Sequence, residues 1–266
     1  MKTVVITGGS SGIGLAMAKQ YCQQGYNLVL VARDETRLNK AVSICEALCK
    51  PEQQVLSFSV DTTSKEALNS CSQEIHSTLG KVDILVLSAG IVDCKRMIEH
   101  DDESFEKLFK TNVVGARLAA KAFLPSMIEN KSGQICFVGS LGGLISTYGY
   151  STYGATKFAL MGLAGAMRKE LVEHNVGVSV LCPGEVDTEM TANEADIILP
   201  QTRLIKDIGG TLSADYVAKA AIKGVKKNRF IIVPGFKSKN AYWFSRVFPK
   251  SFACFMQLVI KFSSRR

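Results

Sequence analysis

Tyr153 and Lys157 stand four residues apart in Ser151-Thr152-Tyr153-Gly154-Ala155-Thr156-Lys157, a spacing that puts a phenol and an ammonium on one helix face. A free tyrosine titrates near ~10 and exchanges protons poorly at neutral pH. A fixed cation a few ångströms away favours the phenolate and draws the pKa toward the working range of a general acid or base. The pair alone could equally be a surface tyrosine packed along a lysine stem. A third group supports the chemical reading. The apolar run Gln134-Ile135-Cys136-Phe137-Val138 ends in Gly139-Ser140, thirteen residues before Tyr153. A hydroxyl at the carboxyl end of a strand and a helix-borne phenol can then meet over one carbonyl carbon. Tyr148 and Tyr150 are excluded as the acid, because their i+4 neighbours, Thr152 and Gly154, carry no charge.

Those groups need a scaffold and a reaction partner, and the N-terminus suggests both. Thr3-Val4-Val5-Ile6 is a short β-branched strand that runs into Thr7-Gly8-Gly9-Ser10-Ser11-Gly12-Ile13-Gly14, and a helical pattern follows at once. Glycines between a strand and a helix allow a tight turn and let a pyrophosphate approach the helix N-terminal amides. A second strand, Asn27 to Val31, completes a βαβ unit of about 30 residues. It ends in Ala32-Arg33-Asp34. A carboxylate at that tip would accept from a free ribose 2′-hydroxyl, whereas an arginine accommodates a 2′-phosphate. Arg33, helped by Arg37 and by Ser10 or Ser11, therefore predicts NADP(H) over NAD(H), with Asp34 next door as the competing signal.

Taken in chain order, the glycine turn, Asp61, Ser88-Ala89-Gly90, Asn112, Ser140, Tyr153, Lys157, and Pro183-Gly184 with Val186 and Thr188 resemble the short-chain dehydrogenase/reductase family. The resemblance spans about residues 3 to 190. It implies that Tyr153 protonates a carbonyl oxygen as hydride arrives, that Ser140 orients that oxygen, and that Lys157 binds the nicotinamide ribose while tuning Tyr153. Asn112 would support a water-linked proton relay behind Lys157. Gly8, Ser10, Ser11, Gly12, Ile13 and Gly14 would hold the pyrophosphate, Asp61 the adenine amino group, and Ala89 and Gly90 would let the cofactor approach closely. Pro183, Gly184, Val186 and Thr188 would flank the nicotinamide. Two positions depart from the family pattern. Leu87-Ser88 replaces a pair of asparagines, which removes local bracing, and Gly139 replaces a serine, which should loosen the surroundings of Ser140.

The predicted fold is α/β, a Rossmann-type doubly wound parallel sheet in a single domain over residues 1–235. Strands are expected at Thr3–Thr7, Asn27–Ala32, Gln54–Val60, Ile84–Ser88, Gln134–Val138 and Gly177–Leu181, with a short seventh from Arg229 to Pro234. Eight scattered cysteines without CxxC pairing read as free thiols in a reducing compartment. The three histidines form no ligand cluster, so no metal is expected. A strand beginning at residue 3 leaves no room for a signal or transit segment, so the expected location is cytoplasmic or the cytosolic face of a membrane.

Residues 236–266 form a separate basic, aromatic tail. Seven lysines and arginines and no acid lie there, so the tail carries all but one of the eight net positive charges, which argues against a nucleic-acid face on the domain. Bulky apolar residues among those cations suit a headgroup–acyl boundary, and the longest charge-free run, Ser251 to Ile260, is too short to span a bilayer. The alternative is a helix that covers the substrate cleft or a subunit contact in a homo-oligomer. Between Thr188 and about Leu212, Ile197-Ile198-Leu199 in a lid would suit a greasy ligand, as would Leu141 to Ile145. Several stretches, Thr202-Arg203-Leu204-Ile205 among them, are similar to the 3-ketodihydrosphingosine reductases, membrane-associated NADPH-dependent reductases of a long-chain ketone in sphingolipid synthesis. The expected activity is therefore NADPH-dependent reduction of a lipid-like ketone. The alternatives are a soluble ketoreductase or alcohol dehydrogenase for a small or steroid-like substrate, and a non-catalytic NADP(H)-binding regulator.

Overall fold

The computed structural model describes residues 1–263; Arg265 and Arg266, two of the tail cations, lie outside the described residues. Numbered along the chain, the strands are β1 (Thr3–Thr7), β2 (Asn27–Ala32), β3 (Val55–Ser59), β4 (Ile84–Leu87), β5 (Gly133–Val138), β6 (Val176–Leu181), β7 (Glu185–Asp187), β8 (Thr211–Ser213) and β9 (Ile231–Ile232). The helices are α1 (Gly12–Gln23), α2 (Glu35–Glu46), α3 (Lys65–Leu79), α4 (Asp102–Phe109), α5 (Ala116–Glu129), α6 (Ser151–Glu170), α7 (Glu189–Glu194), α8 (Pro200–Gly209), α9 (Ala214–Lys226), α10 (Phe236–Val247) and α11 (Pro249–Ser263). Seven strands form one parallel sheet in the order β3-β2-β1-β4-β5-β6-β9, while β7 and β8 pair separately.

The strands are apolar at nearly every position because both faces of the sheet are covered. Along β1, Val5 packs with Leu85, Phe123 and Phe137 on the side of α3, α5 and α6. Val4 and Ile6 point the other way, to Met17, Tyr21, Val217 and Ile222 on α1 and α9. The chain winds outward in both directions from β1 and β4, so the crevice above their carboxyl ends is where a ligand meets the fewest crossing loops.

Three expectations change in detail. The last sheet strand is only Ile231–Ile232; Pro234 lacks a donor, and pairing with β6 ends as Cys182 N–H donates to Ile232 O at 2.7 Å. The β7–β8 ribbon has three residues on each side, too short for a sequence pattern to reveal. The cysteines are not all free thiols. Cys22 near the end of α1 and Cys49 after α2 form a disulfide with their Cα atoms 5.1 Å apart, because the β2 crossover folds two segments 27 residues apart onto each other. Six cysteines remain free, five of them buried.

No helix among the described residues is long and apolar enough to cross a membrane. The tail folds as α10 and α11. Ser238 of α10 is buried against the loop after β6: a Cβ on Gly184 would sit 2.7 Å from its hydroxyl. α11 packs on α8 and α10, and none of its own residues is buried.

Candidate active site

The turn after β1 is built from three glycines with different reasons. Gly8 has φ +68°, and a Cβ there would sit 2.7 Å from Ala89 N, so this position is both left-handed and in backbone contact with the loop after β4. Gly12 has φ +52° and faces the Thr188 methyl. Gly14 does not face the cleft; a Cβ on it would collide with the carbonyl of Gly8, which lets α1 close onto the turn. Ser11 caps α1 without spending its side chain on a helix amide, leaving the first N–H groups of α1 beside the cleft. These crowded backbones and free amides fit a dinucleotide pyrophosphate.

Ser140 follows β5 and opens a short turn, Leu141–Gly143, its hydroxyl accepting from Gly142 N–H at 3.0 Å. Tyr153 on α6 faces Ser140, which lowers its pKa, and both line the cleft. Lys157, one turn on, is buried and donates to Val138 O at 3.0 Å, and its ammonium lies 5.5 Å from the centre of the Tyr153 ring. Ser140, Tyr153 and Lys157 thus meet at one corner, as their types suggested. Their electrostatics differ from the expectation. Burial pushes the Tyr153 phenol up to about 12, with Ser140 pulling it down and Glu194 pushing it further up, and burial lowers Lys157 to about 8. Desolvation outweighs the neighbouring cation here. The phenol is protonated at neutral pH, a proton donor rather than a near-phenolate.

A cleft of about 550 Å³ gathers Gly8, Ser11, Gly12, Ile13, Ala89, Gly90, Ser140, Tyr153, Lys157, Pro183, Gly184, Val186 and Thr188. Ser10 and Gly14 are in the turn but do not line it. Asn112 lies just behind, in a π-turn, Lys110–Gly115, that joins α4 to α5. Its amide accepts from Ile91 N–H at 2.8 Å and donates to Ile91 O and Thr156 Oγ1 at 2.9 and 3.1 Å. These bonds brace the loop after Gly90 against α6. Gly139 does not loosen the corner: a Cβ there would sit 3.0 Å from Val180 and 3.2 Å from Leu181 O.

At the adenosine end, Arg33 is exposed and makes no ion pair among the described residues. It faces Asp61, where partial burial is outweighed by hydrogen bonds from Thr63 and the charges of Arg33 and Lys110, which hold the carboxyl below its usual range. Arg37 is occupied. It pairs with Asp34 at 3.3 Å and with Glu189 of α7 at 2.8 Å, so its guanidinium is already shared between two carboxylates. Asp34 also accepts from the Arg37 amide at 2.9 Å, capping α2, so this acid after β2 is spent on the protein.

Pattern reading missed a buried ionic cluster on the lid. Glu194 of α7 accepts from the Tyr150 hydroxyl and pairs with Lys206 of α8 at 2.6 Å; Lys206 also lies 3.8 Å from Glu185, which Arg203 grips with both its terminal nitrogens. Tyr150 packs against Tyr153 with ring centres 5.0 Å apart. The sequence signal was the acids and bases, Glu194, Arg203 and Lys206 among them, within a segment otherwise read as apolar lid. Glu194 and Lys206 have side chains only 4% and 14% exposed. Glu194→Leu should therefore leave Lys206 only the Glu185 carboxylate at 3.8 Å and cost up to about 3 kcal/mol in urea unfolding, while Glu194→Leu/Lys206→Met should recover most of that.

A family model described as short chain dehydrogenase matches residues 2–197. A 3-dehydrosphinganine reductase of Danio rerio is 35% identical over 85% of this chain and 69% of its own length. A 3-ketodihydrosphingosine reductase of Mus musculus shows the same 35%, 85% and 69%. A 3-oxoacyl-[acyl-carrier-protein] reductase of Bos taurus is 32% identical over 83% of this chain and 90% of its own. Among solved structures, a short-chain dehydrogenase from Sphingobium yanoikuyae in complex with NADPH superposes with a TM-score of 0.78 at 25% identity, covering 94% of this chain and 96% of that one. Levodione reductase has the same fold, with a TM-score of 0.83 at 22% identity, covering 90% and 98%.

Proposed function

The chain belongs to the short-chain dehydrogenase family, oxidoreductases acting on CH–OH and C=O groups, and on that premise we propose that it reduces the ketone of a long-chain lipid with NADPH. A 3-keto sphingoid base such as 3-ketodihydrosphingosine is the substrate we favour. The observation that carries this reading is the Ser140–Tyr153–Lys157 corner at the polar end of a cleft whose far walls are apolar side chains of α8 and α11.

Bound NADPH supplies hydride to the carbonyl carbon. The residues suited to hold it are the turn from Gly8 to Ile13 for the pyrophosphate, Arg33 for the 2′-phosphate, and Val186 and Thr188 beside the nicotinamide. Support for the phosphate is the pairing pattern: Asp34 and Arg37 pair with each other, while Arg33 makes no ion pair among the described residues. Ser140 donates to the carbonyl oxygen. Tyr153, protonated at neutral pH, hands its proton to the same oxygen as negative charge develops there, and Lys157, mostly ammonium below about 8, stabilises the phenolate left behind. The named relatives act on ketones carried by alkyl chains, which favours an oxo-lipid over a small ketone.

The tail adds a surface partner to the proposal. Trp243, Val247, Phe248, Leu258 and Phe262 are all exposed, interleaved with Lys239, Arg246, Lys250 and Lys261. Aromatic and cationic groups on one pair of helices suit an anionic lipid surface, where the substrate resides.

Tyr153→Phe keeps the ring and removes the proton, so ketone reduction should fall at least ~10²-fold with NADPH affinity unchanged; turnover near wild type would mean another acid. Arg33→Ala should weaken NADPH by roughly ten- to hundredfold in a binding titration and leave NADH nearly unaffected, since only a charge-assisted bond to the 2′-phosphate is lost. Equal effects on both nucleotides would point to NAD(H) instead. Sedimentation with anionic liposomes should fall steeply with salt and diminish on changing Lys239, Arg246, Lys250 and Lys261 to Glu, each charge contributing about 1 kcal/mol. A protein that stays in the supernatant at low salt rules out the lipid surface.

A further inference from the structure

The inward stripe of α11 calls for its own explanation. Phe252, Phe255, Met256 and Val259 recur at i, i+3, i+4 and i+7, the spacing of one helix face, and all four line the cleft that ends at Ser140 and Tyr153. Yet no residue of this helix is buried. Ile205 and Ile208 of α8, the helix on which α11 packs, line the same cleft, and Ile208 remains 48% exposed. The two helices thus leave bulky apolar side chains open to the cleft, when folded chains ordinarily close such surfaces together or cover them with a ligand.

The chemistry of the two ends fixes what kind of ligand suits that gap. The inner end is polar: the Ser140 and Tyr153 hydroxyls sit beside the Tyr150–Glu194–Lys206 cluster. From there toward α11, the stripe contributes no charged group, because Lys250 and Lys261 are exposed to either side of it. One flexible thioether, Met256, lies among three apolar side chains that offer no hydrogen bond, a lining that adapts to shape without selecting polar groups. The outer end meets the exposed aromatic and basic face of α10 and α11 described above.

We infer that the groove between α8 and α11 is the binding site for the alkyl chain of the substrate, and that α11 sets the chain length the enzyme favours. This rests on reading the cleft as a ketone-reducing site. Residues 249–263 then act as one wall of the active site, with one apolar stripe facing the chain and the other facing outward.

The test uses the full chain with NADPH, comparing 2-octanone with 2-heptadecanone in detergent micelles. Wild type should show the higher kcat/KM on the long ketone. Val259→Trp and Met256→Trp should each lower the ratio of long-ketone to 2-octanone kcat/KM by about tenfold, which is what losing the burial of two methylenes amounts to. Gln257→Ala, on the exposed side of the same helix, should leave that ratio as in wild type. A chain-length preference that survives both inward substitutions, or an equal fall on both ketones, overturns the inference. Binding of the fluorescent polyene cis-parinaric acid gives a readout that does not depend on turnover. It should be weakened about tenfold in Val259→Trp and unchanged in Gln257→Ala; no binding to wild type also overturns it. If polyene binding follows this pattern but neither ketone is reduced, the reduction proposal falls and the chain groove stands.

Discussion

The catalytic corner depends on how closely α6 lies against the turn that follows β5. A Cβ on Gly143 would sit 2.7 Å from the carbonyl oxygen of Lys157, and one on Gly142 would sit 3.4 Å from the Ser140 hydroxyl and 3.9 Å from the Tyr153 ring. At Gly143 only glycine allows that approach, whereas a Cβ at Gly142 would make ordinary contacts. With any side chain at Gly143 the helix would have to lift, and the hydroxyl, phenol and ammonium would no longer share one corner. The sheet serves the same end: β5 lies between β4 and β6, buried on both faces, so the strand end carrying Ser140 cannot drift relative to the helix that packs across it.

Burial is what turns that corner into an acid. Close packing removes water from Tyr153 and Lys157 together, and each is driven toward its neutral form, the phenol upward and the ammonium downward. The two shifts move the pKa values apart, the phenol up to about 12 and the ammonium down to about 8, so Tyr153 keeps its proton until the substrate oxygen takes it, and the phenolate left behind faces a cation in a poorly solvated site. Coulombic attraction is stronger there than at the surface, where water would screen it. Glu194 opposes the transfer from the far side of Tyr150, while its pairing with Lys206 holds α7 to α8.

The lid and the tail form one assembly around this corner. Glu189 reaches from α7 to Arg37 near the adenosine end, Glu194 reaches back to Tyr150 near the chemistry, and α8 supports α11. One short segment therefore touches both ends of the cofactor cleft and the outer wall. Any movement of α7 and α8 is felt at each of those places, because buried ion pairs and packed helices exchange between discrete arrangements rather than stretching.

Much of this was legible in the sequence because it is local. The strands announced themselves as β-branched runs apolar on both faces, and Gly8, Gly12 and Gly14 marked a turn that only glycine can make. Tyr153 and Lys157 are helix neighbours by spacing alone. What could not be read there depends on which distant segments meet. The disulfide joins Cys22 and Cys49 across a crossover, Arg37 is engaged by Glu189 from 152 residues away, and Glu194 finds Tyr150 and Lys206 only when the lid folds over the sheet. The protonation state of Tyr153 was misjudged for the same reason: helical spacing reports that a cation is near, but desolvation is a property of everything packed around the ring. Local periodicity follows from the geometry of the backbone, and so residue order determined it; burial and long-range pairing exist only once the chain has closed on itself, and so the tertiary structure decided them.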